Sequence, residues 1–337
     1  MGGPLIVIPD DYPIVFTGHP ALERLRAAAE LRIYTDLPRT REELLRRLDG
    51  ASIALDLRSS TVFDEPVLAT VSELRLISVV GTGTDNIDLA AADHYGVAVC
   101  NAPGANARSV AEHAIALMLA IARQIPLTDR ETRAGEWRHH EGPELEGKTL
   151  GVIGLGNIGQ QVAKIGNGLG MRVIAWSFTR DEERGRACGA ELVERNELLR
   201  LSDVVSLNIP ATPESRGMIG ERELSQMRRG AILINTARGA LVDEAALIEA
   251  LRRGQLAGAG LDVFAEEPLP KESPLFRLDN VVLTPHVGWV THEASERLIQ
   301  IPIDNALAYL AGEPRSIVNP KALKHTKQGG GARPSTG

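Results

Sequence analysis

The chain has 337 residues, of which 43% are hydrophobic and 24% charged, and its formal net charge is −7. That length exceeds what one hydrophobic core usually supports, so two domains with a cleft are expected, and the ordinary apolar fraction excludes a largely disordered chain. The acidic balance excludes a protein that binds nucleic acid through an overall basic field.

In the first hundred residues, short aliphatic runs at 5–8, 53–55, 76–80 and 97–99 read as strands, with helical patterns such as 21–30 and 41–48 between them. Next comes 107–124, apolar nearly all round and opening on the capping-box pattern Ser109-Val110-Ala111-Glu112, which predicts a buried inter-domain helix. A second series of strand patterns follows at 150–153, 172–176, 204–208, 231–235, 258–263 and 281–283. Strands alternating with helices predict an α/β protein, and six strands suffice for a complete doubly wound dinucleotide fold beside the smaller α/β unit. One more long helix, 291–311, is expected to return to the first domain and make it discontinuous. The tail 321–337 contains Gly-Gly-Gly and Pro-Ser-Thr-Gly with almost no apolar residues, and is expected to be disordered.

Two cysteines, Cys100 and Cys188, lie far apart without metal-like spacing, which predicts a reducing compartment. The first ten residues show no basic segment leading into a long apolar stretch. The longest apolar run, 114–122, falls far short of the about 20 residues a membrane span needs. A cytoplasmic protein without membrane association is the expectation. His19, His94, His113, His139, His140, His292 and His325 show no metal-ligand spacing, so no metal is expected and these histidines receive no chemistry.

Gly154-Leu155-Gly156-Asn157-Ile158-Gly159 follows an apolar strand and precedes a helical pattern, the placement that a pyrophosphate site demands. Gly154 would make the tight turn, Gly156 would let the backbone approach the pyrophosphate, and Gly159 would let helix and sheet pack closely. The usual acidic partner of the ribose hydroxyls is missing from the end of the next strand, where Ser177 stands with Arg180 after it and Asp181 arriving late. Without that carboxylate a 2′-phosphate is not repelled and Arg180 could pair with it, so the cofactor is NAD or NADP. The plainer reading makes Arg180 and Arg184 solvated surface charges.

Ligands of open α/β sheets sit beyond the carboxyl ends of the strands, and three polar residues fall there: Arg238, Glu267 and His286. Reduction of a 2-oxo acid needs a cation to hold the carboxylate and an acid to protonate the ketone oxygen. Arginine suits the first task through paired hydrogen bonds, histidine the second, and a carboxylate beside the imidazole orients it.

With these residues in view, the chain resembles the D-isomer-specific 2-hydroxyacid dehydrogenase family from about residue 58 to 320. The strings that carry the resemblance are Gly81-Thr82-Gly83-Thr84-Asp85-Asn86-Ile87-Asp88, Asn106-Ala107-Arg108-Ser109-Val110-Ala111-Glu112, Gly147-Lys148-Thr149-Leu150-Gly151, Asn235-Thr236-Ala237-Arg238-Gly239, Leu261-Asp262-Val263-Phe264-Ala265-Glu266-Glu267-Pro268 and Pro285-His286-Val287-Gly288. The resemblance implies a substrate domain of residues 1–102 and 289–320, and an NAD(P)-binding Rossmann domain of residues 103–288. It implies that Arg238 binds the substrate carboxylate, that Glu267 rather than Glu266 supports the histidine, and that His286 is the acid/base. It implies further that Asp262 meets the nicotinamide carboxamide, and that Asn157, Ile158, Pro210, Ala237 and His286 line the cofactor. Backbone amides at Val80, Gly81, Thr82 and Gly83 would help hold the substrate carboxylate, and a homodimer is implied.

Two departures stand out: Ser177 replaces the Asp typical of NAD-preferring members, and Trp289 follows the histidine segment where phosphoglycerate dehydrogenases carry small residues. Arg58 resembles a substrate-proximal position in those enzymes. Two rivals stay open: a nicotinamide-sensing, corepressor-like binding protein with little turnover, and a formate dehydrogenase-like enzyme, which would not need an acid to protonate a product oxygen.

Overall fold

The aliphatic runs fold as parallel strands whose side chains are buried on both faces, as in Leu5–Ile8 (β1), Ile53–Asp56 (β3) and Ala231–Asn235 (β10). The computed structural model describes residues 3–12, 14–57 and 61–326; Arg58 lies outside them. Two compact units divide the chain: Met1–Asn106 with the residues from His292 onward, and Ala107–Thr291.

In the first unit, Glu30–Ile33 (β2), Leu76–Val79 (β4) and Ala98–Cys100 (β5) join β1 and β3 in the order β2-β1-β3-β4-β5, all parallel, which is the flavodoxin-like arrangement. The strand β2 stands where the sequence predicts the end of a helix: the helix of 21–30 is only Leu22–Arg26. Arg41–Leu48 forms as expected, with the Glu43 N–H donating to the Thr40 side chain at 3.2 Å. The long helix His292–Leu310 belongs to this unit, and its Ile299, Ile303 and Ala306 fill one core with Ile6, Ile53 and Leu76. Ala322–Thr326 is helical, with the Ala322 N–H donating to Asp93 at 3.0 Å, so disorder does not begin at Lys321; residues 327–337 lie outside the described residues.

The second unit carries Thr149–Ile153 (β6), Arg172–Trp176 (β7), Glu191–Leu192 (β8), Val204–Leu207 (β9), β10, Leu256–Leu261 (β11) and Val281–Leu283 (β12). Among the described residues this sheet has seven parallel strands in the order β12-β11-β10-β9-β6-β7-β8, one more than the six expected because β8 is only two residues long. The order reverses between β6 and β9, the switch point at which a doubly wound Rossmann sheet binds its ligand.

The helix predicted at 107–124 is Ala107–Ala122, followed by Ile125–Arg133. Its opening differs from the expected one. Ser109 lies inside the helix rather than capping it, and Glu112 pairs with Arg108 at 2.7 Å on an exposed stripe, so the helix is not apolar all round. Its buried face packs on Asn157–Gly168, β10 and β11. Glycines permit that approach: a Cβ at Gly258 would stand 2.7 Å from Ile121, and one at Gly260 2.8 Å from Leu117. No single helix among the described residues is long and apolar enough to cross a membrane.

Candidate active site

The glycine loop joins β6 to the helix Asn157–Gly168 at the switch point. Gly154 has φ +98°, and a Cβ there would press within 2.6 Å of the Asn208 carbonyl. A Cβ at Gly159 would collide with the carbonyl of Gly154, whereas over Gly156 there is open space. The helix N-terminus starts at Gly156 with no side-chain cap. Two glycines are thus needed for the fold of the loop and the third leaves its backbone accessible, a cradle that fits a pyrophosphate. Beside it, Asn208 Oδ1 and Thr236 Oγ1, at the ends of β9 and β10, are buried without a hydrogen-bond partner among the described residues, as expected of a site that completes itself with a polar ligand. The cradle sets up a measurable outcome. Gly159→Ala must displace the loop, and overpacking of this kind costs about 1–3 kcal/mol. A lowered Tm and a loss of NADH affinity of about tenfold in a fluorescence titration are expected; an unchanged affinity would mean that the cofactor does not use this loop.

Beyond β7 a cavity of about 200 Å³ is lined by Leu155, Ser177, Phe178, Arg180, Arg184 and Glu194, among others. Ser177 Oγ accepts from the Leu155 N–H at 2.7 Å and so braces the glycine loop. Arg180 donates to Glu182 at 2.7 Å, and Arg184 sits 3.4 Å from Asp181 with Nη1 3.5 Å from the Leu155 carbonyl. The strand end itself holds a hydroxyl, with both guanidinium groups within its cavity. A carboxylate installed there, Ser177→Asp, would face a 2′-phosphate as a like charge. The ratio of NADPH to NADH dissociation constants is expected to rise about tenfold or more, as read by titration of both cofactors; an unchanged ratio would place the discriminating contact elsewhere.

The three strand-end residues lie in the second unit, on the loops after β10, β11 and β12. Asn235 shapes the first loop, its side chain accepting from the Ala237 N–H at 3.1 Å and donating to the Arg238 carbonyl at 2.9 Å. Arg238 is half-buried, and its Nη1 donates to the Ala237 carbonyl at 2.8 Å. A Cβ at Gly239 would collide with the Phe264 carbonyl, so glycine is what lets the first two loops approach.

Glu267 Oε2 lies 2.7 Å from His286 Nδ1, and Glu267 Oε1 accepts from the Phe264 N–H at 3.0 Å. Burial acts to raise the Glu267 pKa, but the bonds from His286 and Phe264 and the charges of His286 and Arg238 outweigh it and hold the carboxyl below its ordinary value. An ionised carboxylate only accepts, so Nδ1 carries a proton and Nε2 is left to exchange one with a ligand. The stabilisation from Glu267 is present above the ordinary carboxylate range and is lost as pH falls through its lowered pKa. His286 has φ +55°, in the left-handed region that residues other than glycine occupy uncommonly and that the surrounding hydrogen bonds must hold in place.

Asp262 supplies much of that enforcement. It is 1% exposed, its Oδ1 accepts from Thr284 Oγ1 at 2.6 Å and the Val287 N–H at 2.9 Å, and its Oδ2 accepts from the Gly288 N–H at 2.8 Å. Its carbonyl accepts from the His286 N–H at 2.8 Å. Sequence reasoning gave His113 no role, yet its Nε2 lies 2.9 Å from Thr284 Oγ1 and 3.4 Å from Asp262 Oδ1.

Pro210 is exposed just past β9, its carbonyl accepting from Ser215 Oγ at 2.8 Å. The segment Val80, Gly81, Thr82 and Gly83 follows β4 in the first unit. Its carbonyls are held by the Ala102 N–H on Gly81 at 2.7 Å and by the Asn101 side chain on Thr82 at 2.8 Å. That leaves the N–H groups of Gly81, Thr82 and Gly83 without partners among the described residues.

A parallel sheet with a glycine cradle at its switch point, and a histidine, a carboxylate and an arginine on neighbouring strand ends, defines a dinucleotide-binding protein of the doubly wound class. The chain belongs to the D-isomer specific 2-hydroxyacid dehydrogenase family: the model of that family's NAD binding domain matches residues 115–288. The D-3-phosphoglycerate dehydrogenase of Archaeoglobus fulgidus is 44% identical over 83% of this chain, which spans 54% of that relative's length. The glyoxylate reductase of Thermococcus litoralis is 46% identical over 77% of this chain and 81% of that one. Among solved structures, an acyclic imino acid reductase in complex with NADPH and D-Arg superimposes with a TM-score of 0.86 at 32% identity, over 93% of this chain and 99% of that one. The family's cofactor is thus NAD or NADP.

Proposed function

We propose that the protein transfers a hydride between NAD(P)H and a small 2-oxo acid, giving the D-2-hydroxy acid. The observation that carries the reading is the 2.7 Å contact of Glu267 with His286 Nδ1 on the strand end next to Arg238. The nicotinamide, when bound, supplies or accepts the hydride at C2 of the substrate. The loop Gly154–Gly159, together with Asn157 and Ile158 at the helix N-terminus, would hold the pyrophosphate. Ser177 and Arg180 would face the adenosine ribose, and Pro210, Ala237 and Asp262 would lie along the rest of the cofactor. Arg238 takes the substrate carboxylate in paired hydrogen bonds and polarises the ketone, drawing electron density from C2 onto its oxygen. His286 Nε2 delivers a proton to the oxygen that becomes the hydroxyl, and in the reverse direction takes it back; Glu267 fixes the proton on Nδ1 throughout. The share of the Gly81, Thr82 and Gly83 amides in holding the carboxylate is a proposal of the same kind, supported by N–H groups that have no partner among the described residues; the Val80 N–H donates instead to the Asp56 carbonyl at 2.8 Å.

The relatives divide between phosphoglycerate dehydrogenases and glyoxylate reductases. Trp289, three residues past the histidine, favours a small unphosphorylated acid over a phosphoglycerate-sized one. A homodimer through the cofactor-binding unit is proposed as well, supported by Trp137, which is 83% exposed on an arm with no strand or helix of its own. Oxidation of NADH or NADPH in the presence of glyoxylate, hydroxypyruvate and phosphohydroxypyruvate tests the reading. Turnover of the first two supports it, and turnover of none contradicts it.

A further inference from the structure

The helix Ala107–Ala122 carries one histidine on its sheet-facing side, His113, with its side chain 21% exposed. Its Nε2 meets the Thr284 hydroxyl at 2.9 Å. That hydroxyl has a single proton, and the 2.6 Å bond to the acceptor-only Asp262 Oδ1 uses it. Thr284 Oγ1 therefore accepts from His113, which fixes a proton on His113 Nε2 and gives the order of donation: His113 to Thr284, Thr284 to Asp262. The same Nε2 stands 3.4 Å from Asp262 Oδ1. Asp262 in turn grips the His286 loop on both sides, through Thr284 before it and the Val287 and Gly288 N–H groups after it. The fit around this grip is close: a Cβ at Gly288 would stand 3.0 Å from Asp262 Oδ2 and 3.4 Å from His113 Cδ2.

We propose that His113 is a positioning residue for the proton donor: through Thr284 it orients the Asp262 carboxylate that clamps residues 284–288, and so fixes where His286 presents Nε2. This rests on the assignment of His286 as the acid/base. A buried carboxylate with fewer donors than lone pairs can rotate or take up a proton. Either change releases an N–H of the loop and lets the left-handed turn at His286 relax. Asp262 is held below the ordinary carboxylate pKa: burial pushes it up, and the donors His113, Thr284, Val287 and Gly288 more than reverse this. The other titratable or charged groups on the elements around it are His286 and Glu267, which pair with each other, Arg238 and Glu266 on the adjoining loops, and Arg108 and Glu112, which pair on the exposed side of the helix.

The test compares wild type, His113→Leu, which removes the donor, His113→Gln, which keeps an amide donor at similar reach, and His286→Ala. Each is assayed for kcat and KM with glyoxylate, for NADH affinity by fluorescence, and for Tm against pH. His113→Leu is expected to lower kcat about tenfold, as a small misplacement of a reacting group does, with KM within about twofold. The acid limb of its kcat profile, and the pH below which its Tm falls, should both move upward, because Asp262 keeps its charge less readily without the donor. His113→Gln should restore most of both. Wild-type kcat and pH limbs in His113→Leu would overturn the inference, and so would a loss that His113→Gln does not rescue and that moves neither limb, since simple core damage does that. Activity retained in His286→Ala would instead overturn the reading on which the inference rests, while the Tm profile still reports on Asp262.

Discussion

Replacing His286 with alanine is expected to lower kcat for 2-oxo acid reduction by about 10²–10⁴ while leaving the dissociation constant for reduced cofactor within about twofold. The imidazole is the group positioned to exchange a proton at Nε2, because Glu267 occupies Nδ1 at 2.7 Å and is itself anchored by the Phe264 N–H at 3.0 Å. Without the imidazole, Glu267 cannot substitute as the acid: its carboxyl is held below its ordinary pKa and carries no proton near neutral pH. The cofactor cradle lies on the β6 loop, built by Gly154 and Gly159, and owes nothing to the imidazole. Initial rates and a cofactor titration on the same preparation separate the two effects. A variant with near-wild-type kcat would show that another group protonates the product oxygen.

Arg238→Lys is expected to raise KM and lower kcat together, reducing kcat/KM by about 10–100-fold, because a charge-assisted hydrogen bond is worth about 1.5–3 kcal/mol and an ammonium cannot reproduce the paired geometry. The site is shaped for a guanidinium. Asn235 holds both ends of the Ala237–Arg238 turn, and the Nη1 bond to the Ala237 carbonyl sets the plane of the fork. Arg238 also contributes to the low Glu267 pKa, so its removal as Arg238→Ala should in addition raise that pKa and shift the acid limb of activity upward. An unchanged KM for every 2-oxo acid tested would mean that the carboxylate is bound elsewhere.

The core strands were legible because buried parallel strands leave continuous aliphatic runs: Leu5–Ile8 and Ala231–Asn235 are buried at every position. The strands that escaped notice are sheet edges. Glu30–Ile33 is exposed or half-buried throughout, and Glu191–Leu192 offers two residues of mixed burial, so neither leaves an apolar run. The Ser109 to Glu112 spacing looked like a cap because the pattern is local, but Arg108 takes the Glu112 carboxylate and the helix starts two residues earlier. The glycine motif and the three strand-end residues could be read from their places after strands, which is where ligands gather in such sheets. His113 could not. Its partner Thr284 lies 171 residues away in the chain, and a single histidine on an apolar helix carries no spacing signal. The bracing of the glycine loop by Ser177 was equally hidden, since a hydroxyl in place of a carboxylate shows in sequence only as something missing.

The most direct measurement is the initial rate of NADH or NADPH oxidation by the purified protein with glyoxylate, hydroxypyruvate, pyruvate, phenylpyruvate and phosphohydroxypyruvate, followed by chiral analysis of the product. Turnover of at least one small 2-oxo acid to its D-2-hydroxy acid is the expected result. Tight binding of the reduced cofactor with no turnover of any of these acids would contradict it and point to a nicotinamide-sensing protein.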